Sequence, residues 1–197
     1  MKILLLSKKF PYPLRDGESQ AIHGLSKSLC ELGAEVSLLA MNTSKHFFEG
    51  ADLPKEMSHF SGVRTVSINT DLKYGAALKN LVKGVSYHVS RFDSPAYHAA
   101  LAKWLQEEKF DVVQLETLYL APYLPTIRRH SKALVAMRAH NVEFEIWQRV
   151  CDNVAFRPKR WYLRQLTKQL RQYEVDRLLD DDLLLPITAR DDANFRR

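Results

Sequence analysis

Cysteine is nearly missing from this 197-residue chain, which has only Cys30 and Cys151. The two show neither metal-ligand nor redox spacing, and so few thiols point to a reducing compartment, so a cytoplasmic protein is expected. Long hydrophobic runs are missing too. No stretch nears the roughly 20 residues of a membrane span, and Ser7-Lys8-Lys9 ends the opening Ile3-Leu4-Leu5-Leu6 too early for a secretion leader. Glycine is scarce, at 7 residues. The loop from Ser7 to Gly17 is too long, and has too few glycines, for the Gly-x-Gly-x-x-Gly turn of a dinucleotide site. Nor does any Gly-Lys-Ser/Thr mark a phosphate-binding loop of the NTPase kind. With 46% hydrophobic and 26% charged residues, neither disorder nor a fibrous class is indicated, and one globular domain is expected.

Acids are in short supply in one place. Residues 128–171 carry eleven Arg or Lys against Glu143, Glu145 and Asp152, an excess of +8 that leaves the rest of the chain at −2 of the overall +6. A basic surface of this kind suits anionic lipid head groups, nucleotide phosphates or nucleic acid, or is simply a solvated helix face.

The periodicities that are present alternate between strand and helix. Ile3 to Leu6 reads as a buried strand, followed by a stiff loop through Pro11, Pro13 and Asp16-Gly17. Ile22, Leu25, Leu29 and Leu32 recur at helical spacing, with Gly33 where a C-terminal cap belongs, and Glu35 to Ala40 is the next strand. Strand, helix and strand of these lengths form a βαβ unit with a parallel sheet. Further strands are expected at Val63–Ile68, Phe110–Leu115, Ala133–Met137 and Leu183–Ile187. Helices are expected at Gly75–Val82, at Pro95–Glu108 with Ser94 as cap, at Val142–Asp152 and at Pro158–Leu179, with another from Thr188 toward Phe195. Between Leu115 and Ala133, Pro122 and Pro125 must break or delay a helix. The chain stops in what reads as mid-element, as a fragment would.

In open parallel sheets ligands bind beyond the carboxyl ends of the strands. The residues there are Asp16-Gly17-Glu18-Ser19 at a helix start that favours an anion, Glu116-Thr117, the polar run Arg138-Ala139-His140-Asn141-Val142-Glu143, and Thr188 with Arg190-Asp191. Asn141 and Glu143 are equally suited to capping the next helix. The acidic triplet Asp180-Asp181-Asp182 precedes a strand and belongs at the opposite rim. Tyr119, Tyr123, Trp161 and Tyr162 are as well suited to a core as to a sugar groove.

Taken in order, these features resemble the N-terminal domain of glycosyltransferase family 4, the retaining GT-B enzymes. The resemblance is carried by Pro11-Tyr12-Pro13 with Asp16-Gly17, by Asp111 to Glu116, by His140-Asn141-Val142-Glu143 with Trp147 and Arg149, by Tyr173-Glu174, and by Ile187-Thr188 with Asp191. It implies an α/β, Rossmann-like three-layer domain with a mostly parallel sheet, spanning residues 1–197 as the acceptor-side half of a GT-B enzyme. A C-terminal half, not among these residues, would hold most of the donor. The implied activity is hexosyl transfer with retention from a nucleotide-sugar to a glycan or lipid-linked acceptor, in polysaccharide biosynthesis, with neither a metal nor a cofactor. This half alone is expected to be inactive.

The resemblance places His140 as the catalytic residue beside the transferred sugar and Gly17, Glu18, Ser19, Glu116, Arg138, Asn141 and Thr188 as substrate-binding candidates. Family members commonly have Gly-Gly in the first loop. Glu18 stands at the second position here, where a carboxylate repels a diphosphate, so either it points away or the donor or acceptor contact is unusual. The partners expected are the two substrates and an anionic membrane met peripherally at its inner face, with no nucleic acid. The rival reading is a non-catalytic basic α/β module for anionic lipid or nucleic acid.

Overall fold

In the computed structural model, residues 1–44, 47–48, 52–70, 86–177, 181–188, 190 and 192 are described. Six parallel strands form one sheet: β1 (Lys2–Ser7), β2 (Glu35–Thr43), β3 (Gly62–Ile68), β4 (Val112–Leu115), β5 (Leu134–Ala139) and β6 (Leu183–Pro186). Their spatial order is β3-β2-β1-β4-β5-β6, with Ile3 opposite both Val36 and Val112. The order reverses between β1 and β4, and in a doubly wound sheet the crevice at such a reversal is where ligands bind.

β1 shows why the sheet is covered on both faces. Side chains alternate across a strand, so Leu4 and Leu6 join one core with Leu39, Tyr97, Leu101, Val113 and Leu115. Ile3 and Leu5 join another with Phe10, Val36, Leu38 and Met57. A strand buried on both sides must be apolar without interruption, as Ile3-Leu4-Leu5-Leu6 is.

The helices follow the expected pattern with local differences. α1 (Gly17–Glu31) is capped by Asp16, whose carboxylate accepts the Ser19 N–H, and ends through Gly33 at φ +86. That left-handed φ is costly for any residue with a Cβ, which is why glycine stands there. A single turn, α2 (Tyr87–Ser90), was not anticipated. α3 (Pro95–Glu107) starts on Pro95, but Ser94 holds the cap position without a side-chain bond. Instead, its N–H donates to the Tyr123 hydroxyl at 2.9 Å.

The two prolines do delay the following helix. A 3-10 segment (Leu118–Tyr123) contains Pro122, and α4 (Leu124–His130) begins with Pro125 in its first turn, where a missing N–H is harmless. α5 (Glu143–Asp152) and α6 (Arg157–Arg177) complete the described helices. The helix expected at Gly75–Val82 lies outside the described residues, as does most of the one expected after Thr188. Asp182 sits at the amino-terminal end of β6, accepting from Arg128 at 2.8 and 2.9 Å and from the Val135 N–H at 2.7 Å. It is thus at the rim away from the crevice, as expected. No described helix is long and apolar enough to cross a membrane.

Candidate functional site

β4 delivers Glu116 to the carboxyl rim at the reversal point, where its side chain is wholly buried. A buried carboxylate needs donors, and three neighbours supply them. Gln114 Nε2 donates to Oε1 at 2.5 Å, Arg138 Nη1 to Oε2 at 3.1 Å, and His140 Nε2 meets Oε2 at 3.0 Å. An ionised carboxylate only accepts, so Nε2 carries the proton on this contact and Nδ1 is the other ring nitrogen of His140. Arg138 also donates to the Ala21 carbonyl at 3.3 Å, tying the end of β5 to α1 across the crevice.

His140 opens onto a cavity of about 350 Å³ lined also by Gly17, Glu18, Thr117, Asn141 and Glu143. Gly17, Glu18, His140 and Asn141 therefore share one opening, while Glu116 and Arg138 stand behind it and act on it through the imidazole. Ser19 is buried and its hydroxyl donates to Asp16 at 3.0 Å, so its contact is with the cap. Thr188 is exposed beyond β6, and it is its neighbour Ile187 that lines the cavity.

Glu18 does not turn away from the cavity. Its oxygens lie 3.5 Å from Lys8 Nζ and 3.6 Å from Lys9 Nζ. Lys9 also pairs with Asp16 at 2.5 Å. Partial burial pushes the Asp16 carboxyl up, but the Lys9 ammonium and the Ser19 N–H outweigh it and hold the group down at about 2. The first loop thus presents two carboxylates neutralised by two lysines.

The same lysines and Glu18 border a second cavity of about 360 Å³, lined further by Arg91, Tyr119, Glu143 and Trp147. Glu143 faces both cavities. Its Oε2 accepts from the Tyr119 hydroxyl at 2.8 Å, and the Tyr119 oxygen in turn accepts from Trp147 Nε1 at 3.3 Å. Burial pushes the Glu143 carboxyl above its ordinary value, against the pull of Lys8. The Trp147 ring lies against His88, tilted by 37° with the centroids 3.8 Å apart, and burial, aided by Arg91, takes that imidazole down to about 4.

Neither Asn141 nor Glu143 caps α5. Val142 holds the cap position without a side-chain bond. The buried Glu174 of α6 accepts the Glu143 N–H at 3.0 Å and the Phe144 N–H at 3.1 Å. Burial pushes Glu174 up to about 7 in spite of those two donors.

Lys8, Lys9, Tyr119 and Glu143 are site-lining groups that the sequence reading did not select. For the lysines the signal was available, since they directly follow β1 at its carboxyl end. Tyr123, by contrast, is core: its hydroxyl donates to the Phe92 carbonyl at 2.6 Å. Among the described residues, no group of three or more His, Cys, Asp or Glu is placed to hold a metal ion.

No family model matches the chain, and no curated protein matches it in sequence. Solved structures do match. Sucrose-phosphate synthase from Thermosynechococcus elongatus superposes with a TM-score of 0.61 at 16% identity, over 100% of this chain and 44% of that one. Os79 from O. sativa, solved in complex with UDP and deoxynivalenol-3-glucoside, gives 0.51 at 15% identity, over 96% of this chain and 47% of that one. The chain spans less than half the length of either. Its fold is that of a Rossmann-like domain of the GT-B glycosyltransferases.

Proposed function

We propose that the chain is the N-terminal, acceptor-side half of a retaining family 4 glycosyltransferase that moves a hexose from a nucleotide-sugar to a glycan or lipid-linked acceptor. The observation that carries this reading is the pairing of His140 with buried Glu116 at the mouth of a cavity that also borders the start of α1. The donor diphosphate approaches the first turn of α1, where free N–H groups and the helix dipole favour negative charge. Lys8 and Lys9 offset Glu18 and Asp16 there. The remaining donor contacts belong to a second domain.

In the transfer, the bond from the anomeric carbon to the phosphate oxygen breaks and a bond to the acceptor oxygen forms on the same face. The acceptor proton passes to the departing diphosphate. Such a step depends on positioning and electrostatic stabilisation. Glu116 fixes the ring of His140, which orients the sugar. Glu143 receives acceptor hydroxyls in the second cavity, where Trp147 and Tyr119 offer the aromatic surface that sugars favour.

The test is a screen of nucleotide-sugars against the protein carrying both domains, with product mass and anomeric configuration read by mass spectrometry and NMR. His140→Ala is expected to lower kcat by about 10²-fold or more, the scale for removing one preorganised polar contact, and, because it takes a donor from buried Glu116, to lower the thermal midpoint while the variant still folds. Full transfer by this variant, or an inverted product, refutes the assignment.

A further inference from the structure

Apart from Arg138, the cations of residues 128–171 are not used by the glycosyl-transfer reading, and four of the eleven line one groove. α5 and α6 enclose a groove of about 470 Å³ in which Arg149 and Arg190 face Arg164, Lys168 and Arg171. The last three recur at i, i+4 and i+7, a single stripe of α6. The groove shares no lining residue with either cavity at the sheet rim.

The lining contains one carboxylate, Glu145, and Arg190 already donates to it at 3.0 Å. Among the described residues, Arg164 pairs only with Asp152, at 3.8 Å, with both side chains more than half exposed. Arg171 lies over the Phe144 ring at 5.2 Å. Arg149 and Lys168 form no ion pair among the described residues. Cations one turn apart on a helix repel each other, and exposed helix positions accept Gln or Glu equally well. Helix formation therefore does not account for the stripe, whereas a multiply charged anion between the two helices does. Guanidinium groups on both walls match phosphate oxygens two at a time.

We propose that the groove between α5 and α6 is a binding site for a phosphate-bearing ligand, held by Arg149, Arg164, Lys168 and Arg171. The phosphate arrives either on a soluble ester or on a lipid head group. Phe156 and Trp161, 67% and 61% exposed at the start of α6, would rest in the head-group layer in the second case.

Calorimetric titration with inorganic pyrophosphate and co-sedimentation with vesicles of equimolar phosphatidylglycerol and phosphatidylcholine separate the two sources. Arg164→Glu combined with Lys168→Glu is expected to weaken binding in at least one arm by about tenfold or more, as loss of charge-assisted hydrogen bonds does. Arg149→Glu, on the other helix, is expected to act in the same direction. Lys27→Glu, a surface reversal on α1, controls for net charge and is expected to leave binding within about twofold. Pyrophosphate binding lost in the groove variants assigns a soluble ester, and vesicle binding alone lost in them assigns a lipid. Absence of binding in both arms overturns the site. So does binding that the groove variants spare, or that Lys27→Glu weakens equally. Because these readouts need no sugar transfer, failure of the glycosyltransferase assignment leaves them intact.

Discussion

At Gly17, a Cβ built on the backbone would meet nothing within 4 Å, so local packing does not demand glycine. If a diphosphate approaches the backbone there, the extra methyl meets the ligand instead. Gly17→Ala is thus expected to leave stability within about 0.5 kcal/mol, as at an ordinary surface position, while nucleotide-sugar affinity in the two-domain protein falls. Thermal unfolding and a donor titration measure the two effects, and unchanged affinity would remove the helix start from the donor site.

Arg138 presents the opposite case. Its guanidinium is one of three donors to the fully buried Glu116, and breaking a buried pair by removing one partner costs about 3–5 kcal/mol. Arg138→Ala is expected to lower the denaturant midpoint accordingly. That His140 and Glu116 stand at the carboxyl rim of the sheet was legible, because both directly follow strands. That Glu116 stands behind His140, outside the cavity, was not, since pairing between residues on adjacent strands depends on register.

Among the elements, α1 and α3 were readable to within a residue or two because their signals are local: apolar spacing with Gly33 at the end of α1, and Pro95 at the first position of α3. The first turn of α5 was not. Its cap comes from Glu174, 31 residues away from Glu143, and no neighbouring residue type signals such a contact. Glu174→Ala leaves one buried and one partly buried N–H group without their acceptor, and a cost of about 2 kcal/mol follows from the usual penalty for unsatisfied donors. Hydrogen exchange at the Glu143 and Phe144 amides is expected to speed up more than exchange in β1. Equal acceleration everywhere would mean that Glu174 supports the whole domain and not this helix start. The turn at α2 escaped for another reason. Tyr87–Ser90 is too short for any periodicity to appear.

At the scale of the whole molecule, the sheet's two covered faces were written in β1, whose unbroken apolar run admits no solvent face. The strand order was not, because it depends on which edges remain open as successive βαβ units join. Burial of two titratable groups then sets how stability depends on pH. Glu174, raised from 4.5 to about 7, binds its proton more tightly in the folded state. Its contribution is complete below about 4.5 and is lost as pH rises through 7. His88, lowered from 6.5 to about 4, acts in the reverse sense: its contribution is complete above about 6.5 and is lost as pH falls through 4. Between about pH 4.5 and 6.5 the two slopes oppose each other and are of similar size, each pKa unit being worth about 1.4 kcal/mol. The native chain is therefore expected to show a shallower pH dependence of its thermal midpoint across that window than either group alone would impose. Glu174→Gln removes one titration and should expose the other as a midpoint that climbs with pH. A variant whose profile is flat would show that the His88 imidazole takes up its proton as readily when folded as when unfolded.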